Sequence, residues 1–303
     1  MGDEDMLLVG PDDDFNRALA KEIDAELVQV DRRVFPDGEV CPRILGEVRG
    51  SDVVLSLRMM AGQCRPNEYL MEVLFTVRNL KEHMGAEDVT LVMPYFPYAR
   101  QDAIFRPGEP LSSKYVAELL EVAGVSKVVS VTVHLHRLGG FSDLFSDAEA
   151  INLSGFEALA QNLRSLPLMD PFILGPDTES INWARELADS YGTDRYDAFK
   201  KERDFQTGEI RTFVKEIDIE GRDVIVVDDM VSTGGTMANA VKAAKEMGAR
   251  IVVSAFVHPV LAPGAVDRIL GAGADIILAT DTIEWIGSKS TVVPMIARML
   301  RGG

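Results

Sequence analysis

Short apolar runs rich in β-branched residues alternate along this chain with longer segments of helical periodicity. The apolar runs predict buried strands at residues 52–57, 89–94, 127–133, 171–176, 223–229 and 251–257. The helical periodicity predicts helices at 67–85, 112–124, 179–192 and 236–249. Each helix ends at or beside a glycine suited to the C′ position, namely Gly85, Gly124, Gly192 or Gly248. Alternating strands and helices predict an α/β fold, in which helices flank a mostly parallel sheet.

The length of the chain changes this prediction from one domain to two. At 303 residues the chain exceeds an ordinary single domain, so two packed domains are expected. The least regular stretch, residues 137–155, is the candidate boundary. We therefore predict two similar α/β domains, over residues 1–148 and 149–303.

Composition and charge exclude several classes of protein. A hydrophobic fraction of 47% and a charged fraction of 26% fit a soluble globular protein. No apolar run reaches the roughly 18 residues that a membrane span requires. The net charge of −17 argues against nucleic-acid and anionic-membrane partners. Cys41 and Cys64 form no paired motif, and the acidic N-terminus lacks the features of a signal peptide, so a cytoplasmic location is expected.

The segment VIVVDDMVSTGGTMANA, residues 224–240, has the most informative local chemistry. A strand, a Ser-Thr-Gly-Gly-Thr turn and a helix would place several backbone N–H groups at a helix N-terminus, where they favour an anion. The hydroxyl groups of Thr233 and Thr236 add donors. The segment lacks the lysine of a Walker A loop. A glycine-rich turn with nothing bound is the alternative interpretation.

The adjacent carboxylates of Asp228 and Asp229 favour a sugar phosphate over a nucleoside triphosphate. Two like charges on adjacent residues, a few Å apart, repel each other by on the order of a few kcal/mol. A phosphate beside them increases the repulsion. The arrangement is sensible if the carboxylates face the hydroxyl groups of a sugar whose phosphate occupies the turn. A bridging Mg²⁺ would stabilise it further.

Four motifs together resemble the ribose-phosphate pyrophosphokinase family. VVDDMVSTGGT is similar to the loop by which proteins of the phosphoribosyltransferase fold bind the ribose and 5′-phosphate of ribose 5-phosphate or of phosphoribosyl pyrophosphate. FPDGE (35–39), PYFPYARQD (94–102) and HLHRLGGF (134–141) are similar to motifs of the pyrophosphokinases in particular. The resemblance implies two domains of the phosphoribosyltransferase type. It also implies transfer of the pyrophosphoryl group of Mg-ATP to the anomeric hydroxyl of ribose 5-phosphate, which gives phosphoribosyl pyrophosphate and AMP.

The resemblance assigns substrate-binding roles to both halves of the chain. The N-terminal half would bind ATP through Phe35, Asp37, Gly38, Glu39, Arg100 and Gln101. The turn at 35–39 would hold the adenine and serve the active site of a neighbouring subunit, which implies a homo-oligomer. The C-terminal half would bind ribose 5-phosphate through Arg203, Asp228, Asp229, Ser232, Thr233, Gly234, Gly235 and Thr236. Without the resemblance, a surface ion pair would be the favoured interpretation of Arg100, and an exposed turn between strands is the alternative interpretation of residues 35–39.

The resemblance assigns His134 and Asp177 to a Mg²⁺ site. His134 and His136 have the spacing of one strand face, but no third nitrogen or sulfur ligand suggests a transition metal. Asp177 or Thr178 also suits the N-cap of the helix that follows. The chain departs from the family pattern at Thr132, where an aspartate is common, and at Glu179 and Ser180, where small glycines are usual.

The segment FKKERDFQTGEI, residues 199–210, predicts a hairpin with a basic cluster in an acidic chain. Phosphoryl transfer requires positive charge that moves into place with the nucleotide. The Lys-x-Arg pair of the family matches Lys201 and Arg203, so these are the predicted catalytic residues. Lys200 is the competitor in a register shifted by one residue, and a solvated hairpin is the alternative interpretation.

Two other functions share parts of this pattern. A nucleobase phosphoribosyltransferase would contain the sugar-phosphate loop, but it would not need FPDGE or the Arg100 segment. A catalytically silent regulatory paralogue would keep the fold and lose site residues. The departures at Thr132, Glu179 and Ser180 favour that alternative, whereas Lys201 and Arg203 oppose it.

Overall fold

The computed structural model of the protein describes residues 6–60, 65–135, 137–203, 210–213 and 217–302, with backbone alone at 201–203 and 210–213. The chain divides into two compact units. The first contains residues 6–59, 65–153 and 293–302, and the second contains Met60 and Ser154–Val292. The sequence-based division after residue 148 stays a prediction. The C-terminal helix joins the first unit because it packs against the first helix of the chain.

The first unit contains a seven-stranded sheet in the order β3-β2-β1-β4-β5-β6-β7. Neighbouring strands are parallel except β2 and β3, which form an antiparallel hairpin. The strands are β1 Leu7–Gly10, β2 Glu26–Val34, β3 Val40–Ile44, β4 Asp52–Ser56, β5 Asp88–Val92, β6 Lys127–Val131 and β7 Glu149–Leu153.

Helices cover both faces of this sheet. They are α1 Asp14–Ile23, α2 Pro66–Asn79, α3 Ser112–Ala123 and the C-terminal α8 Val293–Leu300, with a π-helical turn at Leu80–Met84 and a 3₁₀ turn at Phe141–Leu144. Helix α1 packs against α8, and α2 packs against α3. The connection from β1 to β2, which contains α1, moves in one direction across the sheet, and the connections from β4 to β6, which contain α2 and α3, move in the other. Because such crossovers are right-handed, the α1–α8 pair and the α2–α3 pair lie on opposite faces of the sheet.

The second unit contains a six-stranded parallel sheet in the order β15-β14-β13-β12-β8-β9. Its strands are β8 Phe172–Gly175, β9 Tyr196–Ala198, β12 Asp223–Met230, β13 Ile251–His258, β14 Ile276–Thr280 and β15 Ser288–Ser290. Helices α6 and α7 pack together, as do α4 and α5. The helices are α4 Phe156–Leu163, α5 Ile181–Tyr191, α6 Gly235–Glu246 and α7 Ala265–Gly271, with a 3₁₀ turn at Thr178–Ser180 before α5.

A separate two-stranded antiparallel sheet belongs to the second unit. It is formed by β10 Lys200–Arg203 and β11 Ile210–Phe213, in which Lys201 pairs with Thr212 and Arg203 with Ile210. The predicted hairpin therefore exists, although its expected turn at 206–209 lies outside the described residues.

The α/β prediction is confirmed, with mostly parallel sheets flanked by helices in each unit. All predicted strands are present, and the four predicted helices correspond to α2, α3, α5 and α6. The four glycines have positive φ of 73°, 112°, 90° and 85°, as the C′ position requires. In the described part of the chain, no helix combines the length and the apolar character needed to cross a membrane.

Candidate functional site

The switch point of the second sheet carries the predicted sugar-phosphate residues other than Arg203. Strand order proceeds from β8 to β9 in one direction and from β12 to β14 in the other, so the direction reverses between β8 and β12. Open α/β sheets bind ligands at the carboxyl ends of their strands at such a point. Asp177 follows β8, and Asp228 and Asp229 lie at the end of β12. Parallel pairing of the two strands brings these carboxylates to the same edge.

Asp177 forms the N-cap of the 3₁₀ turn that precedes α5. Its Oδ1 accepts hydrogen bonds from the backbone N–H groups of Glu179 (3.1 Å) and Ser180 (3.3 Å). The Ser180 hydroxyl donates to the Asp177 carbonyl at 2.7 Å and accepts from the Asp177 N–H at 3.0 Å. Asp177 is therefore a cap, but of the 3₁₀ turn; the N-cap residue of α5 itself is Ser180. The two hydrogen bonds between Ser180 and the Asp177 backbone are reciprocal, so the serine at this position stabilises the turn.

Asp228 is a carboxylate whose surroundings oppose its charge. Burial is the largest cause, and the negative charges of Asp229 and Asp177 follow, so that the pKa of Asp228 is raised well above its usual range. The Asp228 side chain accepts from the Asp229 N–H at 3.1 Å, and Asp229, which is 2% exposed, accepts from the Met230 N–H at 2.8 Å. The three carboxylates therefore lie close enough to interact.

The predicted phosphate-binding loop, residues 231–236 and called the phosphate loop below, presents a row of backbone N–H groups. Gly234 is the N-cap of α6, and no side chain caps that helix. Within the part of the chain that the structure describes, no group accepts a hydrogen bond from the backbone N–H groups of residues 232–236. Five donors at a helix N-terminus suit a phosphate group. The exposed Thr233 and Thr236 and the half-buried Ser232 add hydroxyl groups beside them.

Gly234 has two reasons to be glycine. Its φ of +75° lies in the left-handed region, and a Cβ atom there would lie 2.9 Å from the carbonyl oxygen of Ala265. The loop therefore packs directly on the first turn of α7. This close packing depends on the turn at residues 261–265, which contains Pro263 and Gly264 and which the sequence-based interpretation did not use.

The donor chemistry of this edge fits a hard divalent cation. Carboxylate oxygens are the ligands that Mg²⁺ prefers, and Mg²⁺ commonly binds through one or two carboxylates plus water and substrate phosphates. Among the described residues, no three histidine, cysteine or acidic side chains converge as a ready-made metal cage. Asp177 and Asp228 instead fit a Mg²⁺ site that one or two carboxylates share with water and substrate phosphates, since a cation would relieve the repulsion between the two carboxylates.

The predicted adenine turn lies in the first unit, between β2 and β3. The Phe35 N–H donates to the Glu39 carbonyl at 2.8 Å, and the Gly38 N–H donates to the Phe35 carbonyl at 2.9 Å. Gly38 has φ of +96°, and Asp37 accepts from the Glu39 N–H at 3.2 Å. The turn is therefore well defined while Asp37 and Glu39 stay exposed. The Arg33 guanidinium lies 4.5 Å from the centre of the Phe35 ring.

Arg100 and Gln101 lie in the segment that follows β5, but further from the strand than its predicted end at residue 94 suggests. Strand β5 ends at Val92, and Tyr98 with φ of 64° turns the chain before Arg100. Arg100 is exposed, whereas Gln101 is held by a bond from its side-chain nitrogen to the Ala103 carbonyl at 3.3 Å. The next residue, Asp102, is buried and pairs with Arg137 at 3.1 Å.

His134 follows β6 at the carboxyl edge of the first sheet and is half-buried. The chain turns at Thr132, which has φ of 44° although it is β-branched, and such a conformation is strained. The adjacent N–H of Val133 donates to Asn152 Oδ1 of β7 at 2.9 Å. The predicted partner His136 lies outside the described residues. Asn152 was not singled out from the sequence, because only strand pairing brings it beside this segment.

The predicted catalytic residues Lys201 and Arg203 lie on β10, and their side chains are outside the described part of the structure. Lys200, the alternative lysine, is exposed at the first position of the same strand. Their catalytic roles, and the assignment of the other site residues, stay predictions.

Comparisons with known proteins agree over nearly the whole chain. The family model for the N-terminal domain of ribose phosphate pyrophosphokinase matches residues 7–124. The phosphoribosyl transferase domain model matches residues 147–285. A ribose-phosphate pyrophosphokinase of Methanothermobacter thermautotrophicus is 37% identical over 284 residues, which cover 94% of this chain and 95% of the relative.

Two further comparisons extend this likeness. A ribose-phosphate pyrophosphokinase of Methanopyrus kandleri is 37% identical over 93% of both chains. The crystal structure of phosphoribosylpyrophosphate synthetase from Mycobacterium smegmatis superposes with a TM-score of 0.83 and 28% identity over 98% of both chains. Sequence and fold therefore point to the same group of proteins.

Proposed function

Since the chain belongs to the ribose-phosphate pyrophosphokinase family, we propose that it converts ribose 5-phosphate and ATP to phosphoribosyl pyrophosphate and AMP. The anomeric oxygen of the sugar forms a bond to the β-phosphorus of ATP. The bond from that phosphorus to the oxygen shared with the α-phosphate breaks, AMP leaves, and the sugar hydroxyl loses its proton.

The observation that carries this proposal is that the backbone N–H groups of residues 232–236 and the carboxylates of Asp228 and Asp229 lie together at one edge of the sheet. Five backbone N–H groups at residues 232–236 provide the site for the 5-phosphate. Asp228 and Asp229 provide hydrogen-bond acceptors for the hydroxyl groups of the attached ribose. A substrate with a phosphate at one end and a diol at the other satisfies both groups.

The carboxylates at this edge also favour a divalent cation, and we propose Mg²⁺. Asp177 would hold it in the second unit, beside Asp228, and His134 is the corresponding candidate in the first. The cation would supply positive charge to the phosphate oxygens of the nucleotide. Asp177 is already fixed in direction by two backbone N–H groups, so little reorganisation is needed for it to bind.

We assign the nucleotide to residues of the first unit and the catalytic charges to the hairpin. Phe35 would stack on the adenine, with Asp37, Gly38 and Glu39 at its edge, and Arg100 and Gln101 would contact the phosphates. Lys201 and Arg203 would neutralise charge as AMP departs. We further propose a homo-oligomer, in which the turn at 35–39 completes the site of a neighbouring subunit. A cytoplasmic location stays a prediction.

An assay of the nucleotide product tests the proposed function. Purified protein is incubated with ribose 5-phosphate, ATP and Mg²⁺, and AMP, ADP and phosphoribosyl pyrophosphate are quantified. We expect AMP and phosphoribosyl pyrophosphate in equal amounts and no ribose-dependent ADP. Formation of ADP would indicate single-phosphoryl transfer instead. Absence of any product would favour the silent paralogue, and consumption of phosphoribosyl pyrophosphate with a nucleobase would favour the phosphoribosyltransferase.

A further inference from the structure

In the phosphate loop, the carbonyl oxygens of residues 231–234 each accept a hydrogen bond. The Val231 carbonyl accepts from the Leu261 N–H at 2.9 Å, and the Ser232 carbonyl accepts from the Ala262 N–H at 3.0 Å. The Gly234 carbonyl accepts from the Ala238 N–H at 2.9 Å. The carbonyl of Thr233 differs from these three, because its donor is a side chain: the guanidinium of Arg268.

The direction of the Thr233 carbonyl determines the direction of the Gly234 N–H. The two groups belong to one planar trans peptide unit, in which they point to opposite sides. A donor that holds the carbonyl on one side therefore aims the N–H to the other. If this unit rotated, the row of N–H groups would lose one N–H and gain an oxygen that repels phosphate.

This peptide unit needs an external restraint more than its neighbours do. It is followed by Gly234 and Gly235, and glycine gives the backbone access to conformations that other residues avoid. Helix α7 provides the restraint. Its first residue, Ala265, packs against Gly234, and Arg268 lies three positions later, on the same side of the helix. Buried Ala265 and Ile269 fix the helix to the core of the unit.

We propose that Arg268 is a positioning residue for the phosphate loop, which holds the Thr233 carbonyl so that the Gly234 N–H faces the 5-phosphate of the substrate. The inference rests on the proposed function, because it concerns the same binding site. Arg268 acts through the loop backbone and is distinct from the residues predicted to contact substrate.

Three variants test this role. Arg268→Met removes the donor and the charge but keeps the aliphatic chain, whereas Arg268→Lys keeps a charged donor. Arg164→Met is the matched control, since Arg164 is also exposed and donates to a backbone carbonyl, that of Ser190. The Ser190 carbonyl lies at the end of α5, the crossover helix between β8 and β9, and such a helix ends near the amino edge of the sheet, away from the phosphate loop at the carboxyl edge.

The measurements are the KM for each substrate, kcat, and thermal unfolding to confirm folding, at low salt and at ~1 M KCl, where the screening length is about 3 Å. We expect Arg268→Met to raise the KM for ribose 5-phosphate by roughly tenfold, or about 1.4 kcal/mol, with the KM for ATP nearly unchanged. The loss should persist at high salt, Arg268→Lys should recover most of it, and Arg164→Met should resemble the parent protein.

Several results would overturn the inference: an unchanged KM in Arg268→Met, a loss that vanishes at high salt, or an equal loss in Arg164→Met. Calorimetric titration with inorganic phosphate separates this inference from the proposed function. If the parent protein does not use ribose 5-phosphate, the proposed function fails, and weaker phosphate binding in Arg268→Met than in Arg164→Met still supports the positioning role. Equal phosphate binding in the two variants refutes it.

Discussion

At the scale of single residues, the charge of Asp228 in the proposed binding site destabilises the folded protein. Burial and two neighbouring carboxylates raise its pKa well above the usual range. A group whose pKa is higher in the folded state contributes most to the free energy of unfolding below its ordinary pKa of about 3.9. That contribution declines as the pH rises toward the raised value. A cation or a sugar hydroxyl that interacts with the ionised group would offset the cost.

We predict that Asp228→Asn raises the melting temperature of the ligand-free protein at pH 8 by a few degrees. The amide cannot ionise, so it removes the charge that the site opposes. The difference from the parent protein should shrink toward pH 4, where the parent Asp228 is protonated. Thermal unfolding followed by circular dichroism across this pH range measures the effect.

Asp275→Asn provides the control of opposite sign. Burial opposes ionisation of Asp275, but the Lys245 ammonium at 2.6 Å and the Val252 N–H at 2.7 Å outweigh it, and the pKa is lowered. Its stabilising contribution is therefore present above the ordinary pKa and lost as the pH falls. Asp275→Asn should lower the melting temperature at pH 8. A lower melting temperature for Asp228→Asn as well would contradict the role assigned to burial.

A further prediction concerns Asp228 and Asp229 and the substrate that they bind. Asp228→Asn and Asp229→Asn should weaken ribose 5-phosphate binding by at least tenfold, while ATP binding changes much less, because both side chains face the sugar in the proposed complex. Calorimetric titration with each substrate separates the two effects. Equal losses of ATP affinity would assign the carboxylates to the nucleotide.

At the scale of elements, the β10–β11 hairpin carries the predicted catalytic charges at defined positions. Across the antiparallel strands, Lys201 pairs with Thr212 and Arg203 pairs with Ile210. Lys200 precedes Lys201 by one residue on the same strand. A lysine whose main interaction arises as charge develops on the leaving group should affect kcat more than substrate affinity.

We therefore predict that Lys201→Ala lowers kcat by two or more orders of magnitude and leaves both KM values within a few-fold. Each factor of ten corresponds to about 1.4 kcal/mol of activation free energy. Lys200→Ala removes the same charge one position away and should be mild. Steady-state kinetics of both variants decides the register. If Lys200→Ala is the damaging change, the assignment of Arg203 is also shifted by one residue.

At the scale of the whole molecule, two units with related topologies use their switch points differently. In the first unit, strand order reverses between β1 and β4. There Arg58, which is 7% exposed, pairs with Asp13 at 3.1 Å and stacks over Phe15 at 4.2 Å. In the second unit the corresponding edge presents carboxylates and N–H groups. The Arg58 guanidinium thus occupies the first switch point, whereas the second switch point presents the carboxylates and N–H groups that the proposed sugar phosphate requires.

The proposed sharing of sites between subunits leads to a complementation experiment. Phe35→Ala should raise the KM for ATP without unfolding the protein, and Lys201→Ala should be nearly inactive. If Phe35 serves a neighbouring subunit, mixed oligomers contain some sites with both residues intact. We expect subunit exchange between the two variants to restore part of the activity, measured as AMP formation. If the activity of the mixture, after subunit exchange has been verified, only equals the sum of the activities of the two variants, the turn at 35–39 acts within its own chain or has only a structural role.

The amino-acid sequence by itself determined the local elements and the chemistry of the principal loop. Parallel strands buried on both faces have continuous apolar runs, helices have a fixed period, and their glycine ends require positive φ, so each is encoded within a few residues. The row of N–H groups at residues 232–236 is equally local, because a strand, a glycine turn and a helix produce it in sequence. These features were predictable without knowledge of the partners of each element.

Only the tertiary structure decided which distant groups meet. The Asp177 carboxylate acts on Asp228 because β8 pairs with β12, and the hairpin β2–β3 joins an otherwise parallel sheet at its edge. Helix α8 belongs to the first unit because its apolar face packs on α1. The bond from Arg268 to Thr233 spans 35 positions of sequence. Such contacts depend on complementary surfaces and strand order, which local periodicity does not specify.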